Sequence, residues 1–344
     1  MPSKYRQLME DNLAKGFSLG VELIGGDRNG VLVHEAAGLA RQEPDANWEL
    51  DTIVDVASLT KVVATASAVL KCRDRGLLDL DAPLKKYLPS ISHEGGDITL
   101  KELAAHNGGF NYESKFMHQL LDGKAPDFAS AILEQRPVRK PGEGYVYTCI
   151  DMILLGFLVE AVTGFSLDEF CAREIFDPLG MRDSSFGAPG KRNPRLAKMI
   201  NVAPGIISDP LARYAEKSIG NAGLFSTASD LARYCRMLLC DGELDGARIL
   251  SKAAVAAFEQ AINPPGLRPR SFGWDMGEDM RPAGMTEKAF FHTGWTGQSL
   301  FVDRGSGLFV AVLSNRRGEP AECRQRRTEI ASALVKHMQE TMQH

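Results

Sequence analysis

Strand-like segments lie at both ends of this 344-residue chain, and helical patterns occupy most of the chain between them. Near the start, residues 19–24 and 31–35 alternate apolar and polar positions around an Asn-Gly pair that favours a tight hairpin turn. Near the end, residues 300–303 and 308–314 form a second alternating pair. Segments so far apart can share one core if they meet in one sheet. The pattern therefore predicts an α/β (α+β) fold with an antiparallel β-sheet built from both termini.

Helices are expected on either side of that sheet. Residues 4–15 form a short amphipathic pattern, and residues 320–341 carry apolar side chains along one helical face. The intervening region, 79–225, has helical patterns interrupted by glycine and proline. We therefore expect a sheet domain formed from 1–78 and 226–344, flanked by N- and C-terminal helices, with a mostly helical domain inserted at 79–225.

Composition and charge exclude several kinds of partner. Hydrophobic residues make up 44% of the chain and charged residues 24%, which is ample for a globular core. The net charge of −4 offers no basic surface for nucleic acid or an anionic membrane. One notable basic cluster, Arg324 to Arg327, falls in the C-terminal helical pattern and is expected to be a solvated face. We expect neither nucleic acid nor a membrane as partner.

Cysteine usage and the N-terminal residues indicate a reducing compartment. The six cysteines are scattered without a C-x-x-C pair, which argues against a zinc site or a disulfide framework. The first residues lack an apolar leader segment, and no apolar run approaches membrane-spanning length. The prediction is a cytoplasmic protein, unless a leader has been removed. No H-E-x-x-H, P-loop or G-x-G-x-x-G motif occurs, so no metal and no cofactor is expected.

The residues that carry most chemical information are Ser58 and Lys61, at the apparent start of an apolar helix over 58–74. Three residues along a helix is just under one turn, so the two side chains project from the same side. An amine beside a hydroxyl can activate a serine nucleophile without a histidine. The free N–H groups of a first helical turn also favour a developing negative charge. Ser58 is therefore the predicted nucleophile.

Two further segments accompany this S-x-x-K pair. One is Tyr147-Thr148-Cys149, and the other is a His-Thr-Gly-Trp run at 292–295. Together the three segments resemble the motifs of the serine β-lactamase and penicillin-binding-protein superfamily. The closest resemblance is to its class C branch, which includes family VIII carboxylesterases and D-stereospecific peptidases. Segments at 77–89 and 221–227 fit the same pattern, so the resemblance covers most of the chain.

The resemblance implies a role for each matched residue. Ser58 would form an acyl-enzyme, and Lys61 would take the serine proton, which requires a pKa well below its ordinary value. Tyr147 would pass the proton to the leaving group, with Tyr145 as the alternative if the motif is shifted. The backbone N–H groups of Ser58 and Trp295 would bind the oxyanion.

Two departures from the family pattern concern the substrate. His292 stands where a lysine is usual, and histidine is largely neutral at pH 7 unless a partner raises its pKa. Cys149 replaces an asparagine and cannot offer an amide's paired donor and acceptor, a role that Asp151 could fill in part. His106 is interpreted as a structural, hydrogen-bonding histidine.

The resulting hypothesis is a serine hydrolase of β-lactamase-like fold that acts on small ester or amide substrates, as a carboxylesterase does. The nucleophile and proton carriers would be Ser58, Lys61 and Tyr147. The substrate and oxyanion contacts would come from Cys149 and, on the third motif, from His292, Thr293, Gly294 and Trp295. The alternatives are a D-amino-acid-specific peptidase or carboxypeptidase, a weak β-lactamase, and an inactive binding protein of the same fold. The oligomeric state is left open.

Overall fold

An antiparallel sheet carries strands from both ends of the chain. In this computed structural model, which describes residues 3–111, 127–190 and 193–343, the strands are Ser18–Asp27 (β1), Val31–Arg41 (β2), Ala46–Asn47 (β3), Val54–Asp55 (β4), Ser185–Phe186 (β5), Leu224–Ser226 (β6), Glu243–Leu244 (β7), Ala247–Arg248 (β8), Phe290–Gly294 (β9), Gln298–Asp303 (β10) and Leu308–Arg316 (β11). The α-helices in these ranges are Lys4–Ala14 (α1), Ser67–Asp74 (α2), Leu100–Ala104 (α3), Phe128–Leu133 (α4), Ile150–Thr163 (α5), Leu167–Cys171 (α6), Asp177–Leu179 (α7), Pro210–Tyr214 (α8), Ala228–Leu239 (α9), Lys252–Ala256 (α10) and Pro320–Met342 (α11).

The large sheet has six strands in the order β3-β2-β1-β11-β10-β9, and every neighbouring pair is antiparallel. Strands β1 and β11 pair directly, with Val21 opposite Ser314 and Asp27 opposite Leu308. The predicted fold class, an antiparallel sheet formed from both termini and flanked by terminal helices, is confirmed. His292, Thr293 and Gly294 of the third motif lie on β9, an edge strand, and Trp295 follows its end.

Both faces of this sheet are covered. Val310 and Val312 of β11 pack into a core shared with α1 and α11, whereas Phe309 and Ala311 point into the core on the other side. Successive residues of a strand face opposite sides, so a strand that is buried on both faces is apolar along its whole length. Strands β1 and β2 extend to Asp27 and Arg41, beyond the alternating segments that predicted them; β1 is buried along almost its whole length, whereas most of β2 is half-buried or exposed.

The nucleophile segment connects the large sheet to the helical region. Strand β4 directly precedes it and belongs to a small sheet in the order β4-β6-β5, with Val54 opposite Ser226. The helix expected over 58–74 is divided into a 3₁₀ turn at Ala57–Leu59, a π-helical segment at Lys61–Ala66 and then α2. The domain boundaries at 79 and 226 stay a prediction. Within the described ranges, no single helix is both long enough and apolar enough to cross a membrane.

Candidate active site

Ser58 lies on a strained turn that is held by a buried carboxylate. The preceding residue, Ala57, has a φ of 47°, a left-handed conformation that costs a non-glycine residue on the order of 1–3 kcal/mol. Its N–H donates to Asp55 Oδ1 at 2.8 Å. The other carboxylate oxygen of Asp55 accepts from the backbone N–H and the hydroxyl of Ser208, at 2.6 and 2.7 Å. Asp55 therefore ties the nucleophile turn to the loop at Ser208.

Lys61 reaches the nucleophile as its spacing predicts. Its ammonium nitrogen Nζ is 3.0 Å from Ser58 Oγ, and it also donates to the carbonyl oxygen of Asn221 at 2.9 Å. Cys149 Sγ is 3.8 Å from the same nitrogen. Because Lys61 is fully buried, its amine is fixed between these partners rather than free to move in solvent.

Tyr147 is the aromatic residue that contacts Lys61. Lys61 Nζ is 5.1 Å from the centre of the Tyr147 ring, and Tyr147 is among the groups that raise the pKa of Lys61. Tyr145 lines the same cavity, and the guanidinium carbon of Arg270 is 5.9 and 6.0 Å from the ring centres of Tyr145 and Tyr147. The geometry therefore favours Tyr147 over Tyr145 as the partner of Lys61.

The charge on Lys61 depends on two opposed effects. Burial lowers the pKa of its ammonium, because a charge is poorly stabilised away from water. Cys149 and Tyr147 act the other way, since either group as an anion would hold the proton on Lys61. Together with Asp209 they raise the pKa of Lys61 above its ordinary value. This direction is opposite to the expected lowering, and it keeps the proton on Lys61 while Cys149 or Tyr147 carries a negative charge.

The two histidines beside Tyr147 are neutral. The rings of His106 and His292 are centred 4.7 and 6.0 Å from the Tyr147 ring. Burial lowers the pKa of each histidine well below its ordinary value, and the nearby charges of Arg270 and Lys61 lower it further. His292 therefore does not supply the fixed positive charge of a lysine at this position.

A hydrogen-bonded group lies behind Tyr147. His106 Nδ1 is 2.9 Å from Asp151 Oδ2, and the hydroxyl of Thr148 donates to the same oxygen at 2.7 Å. His106 has a φ of 56°, a second left-handed non-glycine residue in the site. These contacts fit the interpretation of His106 as a structural, hydrogen-bonding histidine. They also hold Asp151 against Thr148 and His106.

The third motif is held against the nucleophile turn. A Cβ atom on Gly294 would come within 2.6 Å of the carbonyl oxygen of Val56, so the two segments approach as closely as backbone allows. One residue past Trp295, Thr296 Oγ1 donates to the carbonyl oxygen of Asp55 at 2.9 Å. These contacts place the chain that carries the Trp295 N–H directly beside the turn that carries Ser58.

A cavity of about 420 Å³ opens at these residues. Its lining includes most of the predicted site residues: Ser58, Tyr147, His292, Thr293, Gly294 and Trp295. Cys149 is not part of this lining, although it contacts Lys61. No group of three or more histidine, cysteine or acidic residues within the described ranges could hold a metal ion.

Arginines form much of the remaining wall, and their positions were missed from the sequence. They are Arg268, Arg270, Arg316, Arg324 and Arg327. The expectation that 324–327 is a solvated face is wrong, because Arg324 and Arg327 line the cavity and Arg327 is only 3% exposed. Their spacing of three residues, which puts them on one side of α11, was the available signal.

Comparisons with known proteins identify the family and the fold of the chain. A family model described as Beta-lactamase matches residues 5–335. An Escherichia coli (strain K12) protein named "Putative D-alanyl-D-alanine carboxypeptidase" is 27% identical over 85% of this chain and 77% of its own. The structure of EstCE1, described as a hydrolase with promiscuous acyltransferase activity, superposes with a TM-score of 0.79 at 21% identity, covering 96% of this chain and 97% of that one. A class C β-lactamase from Rhodobacter sphaeroides superposes with a TM-score of 0.75 at 20% identity, covering 97% and 99%. The chain belongs to the Beta-lactamase family.

Proposed function

We propose that this protein is a serine hydrolase that cleaves small ester or amide substrates through an acyl-enzyme on Ser58. The observation that carries the proposal is the 3.0 Å contact between Lys61 Nζ and Ser58 Oγ, with the Tyr147 ring centred 5.1 Å from the same nitrogen. A nucleophile, a fixed cation and a proton carrier are thus brought together at the mouth of one cavity.

The raised pKa of Lys61 revises how the proton would move. A protonated Lys61 can only donate, so it holds Ser58 Oγ in place and offsets the negative charge that develops during attack. Tyr147 is then the proton carrier. As Ser58 Oγ bonds to the substrate carbonyl carbon, the phenolate oxygen of Tyr147, held beside the Lys61 cation, takes the Oγ proton and then passes that same proton to the leaving group. Water later attacks the acyl-enzyme by the reverse transfers and releases the acid.

The oxyanion would be stabilised by the backbone N–H groups of Ser58 and Trp295. Such donors are effective when they are fixed before the reaction begins. The close contact of Gly294 with Val56, together with the bond from Thr296 to Asp55, supplies that rigidity.

A carboxylesterase-like activity is our first choice because His292 is neutral and buried. The third motif thus lacks the fixed charge that suits the carboxylate of a β-lactam or a peptide C-terminus. A D-amino-acid-specific carboxypeptidase or weak β-lactamase is the second candidate, favoured by the name of the Escherichia coli relative and by the arginines of the cavity. A catalytically inactive binding protein of the same fold is the third alternative.

Intact-protein mass spectrometry separates these alternatives. The protein is incubated briefly with p-nitrophenyl butyrate or with a penicillin, and the wild type is compared with Ser58→Ala. A butyryl adduct or ester turnover that the variant lacks, without a penicilloyl adduct, supports the esterase proposal. A lasting penicilloyl adduct on Ser58 favours the second candidate. The absence of both adducts and of turnover would leave the binding protein as the surviving alternative.

A further inference from the structure

The arginines of the cavity form two groups with different partners. Arg268 and Arg270 are neutralised by acids that line the same cavity: Asp275 Oδ2 is 2.8 Å from Arg268 Nε and 3.1 Å from Arg270 Nη1, and Asp279 pairs with Arg268. Arg316, Arg324 and Arg327 lie towards the start of α11. Within residues 3–111, 127–190 and 193–343, these three make no ion pair within 4.0 Å. The second group therefore leaves its side of the cavity positively charged.

Arg327 is the most deeply buried member of this group. It is 3% exposed, and its Nε donates to Ser299 Oγ at 2.8 Å. Its Nη1 is buried without a hydrogen-bond partner among the described residues. Burial lowers the pKa of Arg327 to about 9, and the charges of Arg324 and Arg316 act in the same direction, against an opposing influence from Cys323. Burial of this cation therefore lowers the stability of the folded protein.

Arg316 is fixed in the same way beside the expected oxyanion site. It is 4% exposed, its guanidinium carbon is 4.4 Å from the centre of the Trp295 ring, and its Nε donates to the Trp295 carbonyl oxygen at 2.8 Å. Nη1 donates to the carbonyl oxygen of Gly318 at 2.5 Å. Nη2, like Nη1 of Arg327, is buried with no hydrogen-bond partner in the described part of the chain.

Two buried guanidinium groups with unused donors in one cavity wall need an acceptor. A buried charge is tolerated when it is paired, and breaking or omitting the pair is strongly unfavourable. Guanidinium groups match the planar, multiple acceptors of carboxylate and phosphate. The nearby acids at the start of α11 do not pair with these donors: Glu319 and Glu322 are both exposed, and although the charge of Glu319 acts on Arg316, neither acid forms an ion pair within 4.0 Å with the described arginines of this group.

We propose that Arg316 and Arg327, with Arg324 at the rim, form a binding site for an anionic group, a carboxylate or a phosphate, on the substrate that acylates Ser58. This inference rests on the proposed hydrolase function. It moves the positive charge for substrate recognition away from the third motif, where His292 is neutral, to the end of β11 and the first turns of α11.

The test compares esters that differ in one charge. One pair carries the charge on the leaving group, 3-butyryloxybenzoate and its methyl ester. The other carries it on the acyl chain, mono-4-nitrophenyl glutarate and its methyl ester. We expect the wild type to prefer the anionic member of at least one pair by about 10-fold or more in kcat/KM, the factor typical of a charged pair that is lost or kept. A parallel arm with 3-butyryloxyphenyl phosphate distinguishes phosphate from carboxylate as the preferred anion.

Substitutions then assign the preference to its residues. Arg327→Met and Arg316→Met should each bring the ratio of the two kcat/KM values close to one. Arg326→Met is the matched control, because Arg326 lies on the same helix but pairs with Glu329 and packs over the Phe17 ring outside this cavity. The proposal is overturned if neutral esters are hydrolysed without any preference for the anionic members, or if the preference survives in both arginine variants.

The melting temperature distinguishes an arginine that binds an anion from one that only stabilises the fold. Arg327→Met removes an unpaired buried charge and keeps an apolar side chain of similar length. Its melting temperature should equal or exceed that of the wild type, and inorganic phosphate or benzoate should stabilise the wild type more than the variant. A melting temperature several degrees below the wild type, with the ester preference retained, would show a structural role and overturn the proposal. If no ester is hydrolysed, the function proposal fails, while the stabilisation by benzoate and phosphate still tests the anion site.

Discussion

Gly294 offers the sharpest test of how the site is held together. An alanine Cβ there would lie 2.6 Å from the carbonyl oxygen of Val56 and 2.9 Å from Gln298 Oε1. Val56 is two residues before Ser58, and Gly294 directly precedes Trp295. A methyl group at this position therefore pushes apart the two chain segments that are proposed to supply the oxyanion donors, without removing any functional group.

The size of the effect follows from the contact distance. Ordinary contacts of a Cβ atom begin at 3.4 Å, so relief of a 2.6 Å contact requires a movement of about 0.8 Å. A misplacement of about 1 Å can cost on the order of 10²-fold in rate, which corresponds to about 2.7 kcal/mol of activation free energy. Overpacking of this kind also lowers stability, typically by about 1–3 kcal/mol. We expect Gly294→Ala to fold with reduced stability and to lose most of its kcat.

The assay is turnover of p-nitrophenyl butyrate, with circular dichroism and thermal unfolding to establish that the variant is folded. Gly30→Ala is the matched control, because a Cβ atom at Gly30 meets nothing within 4 Å and its φ is outside the left-handed region. The reasoning is refuted if Gly294→Ala is folded at the assay temperature and keeps its kcat within about threefold of wild type.

Two further predictions concern the residues around Lys61. Tyr147→Phe should lower kcat by about 10²–10⁴-fold, the range for a lost proton carrier, whereas Tyr145→Phe should lose far less; equal losses would count against the assignment of Tyr147. Acidification from pH 7.5 to 5.5 should lower the free energy of unfolding. Burial holds the pKa of His292 well below its ordinary value of about 6.5, so over this interval His292 becomes protonated in the unfolded chain but stays neutral in the folded chain. The free energy of unfolding is measured in urea at the two pH values. Between them, the His292→Asn variant should lose about 1.4 kcal/mol less of this free energy than the wild type does, and an identical loss would contradict a neutral His292.

Features that depend on neighbouring residues could be predicted from the sequence. The hairpin between β1 and β2 follows from its Asn-Gly turn, and the proximity of Ser58 to Lys61 follows from helical spacing. The pairing of terminal strands could also be predicted, since each strand pair needs a partner to bury its apolar residues. These inferences use only local geometry and the need for a shared core.

Features that depend on packing between distant segments could not be predicted from the sequence. Strand β4 has two residues and carries no periodic signal, yet it positions the turn at Ser58. The left-handed conformation of Ala57 is stabilised by a hydrogen bond to Asp55, and no sequence motif marks Asp55 for this role. Arg327 looked like one of several solvated arginines, and only the packing of α11 against Ser299 buries it. The charge of Lys61 likewise depends on groups far along the chain, Cys149 and Tyr147.

The pairing of β1 with β11 has a consequence for how the protein is made. Residue partners such as Val21 and Ser314 lie almost the whole chain apart, and at synthesis rates of about 5–20 residues per second the later strand emerges on the order of 15–60 s after the first. Throughout that time the apolar β1–β2 hairpin has an open edge, which is a site for aggregation and for chaperone binding. Strand β9 also emerges late, so the cavity beside Ser58 is assembled only near the end of translation. A nascent chain of this protein therefore cannot carry out the proposed reaction.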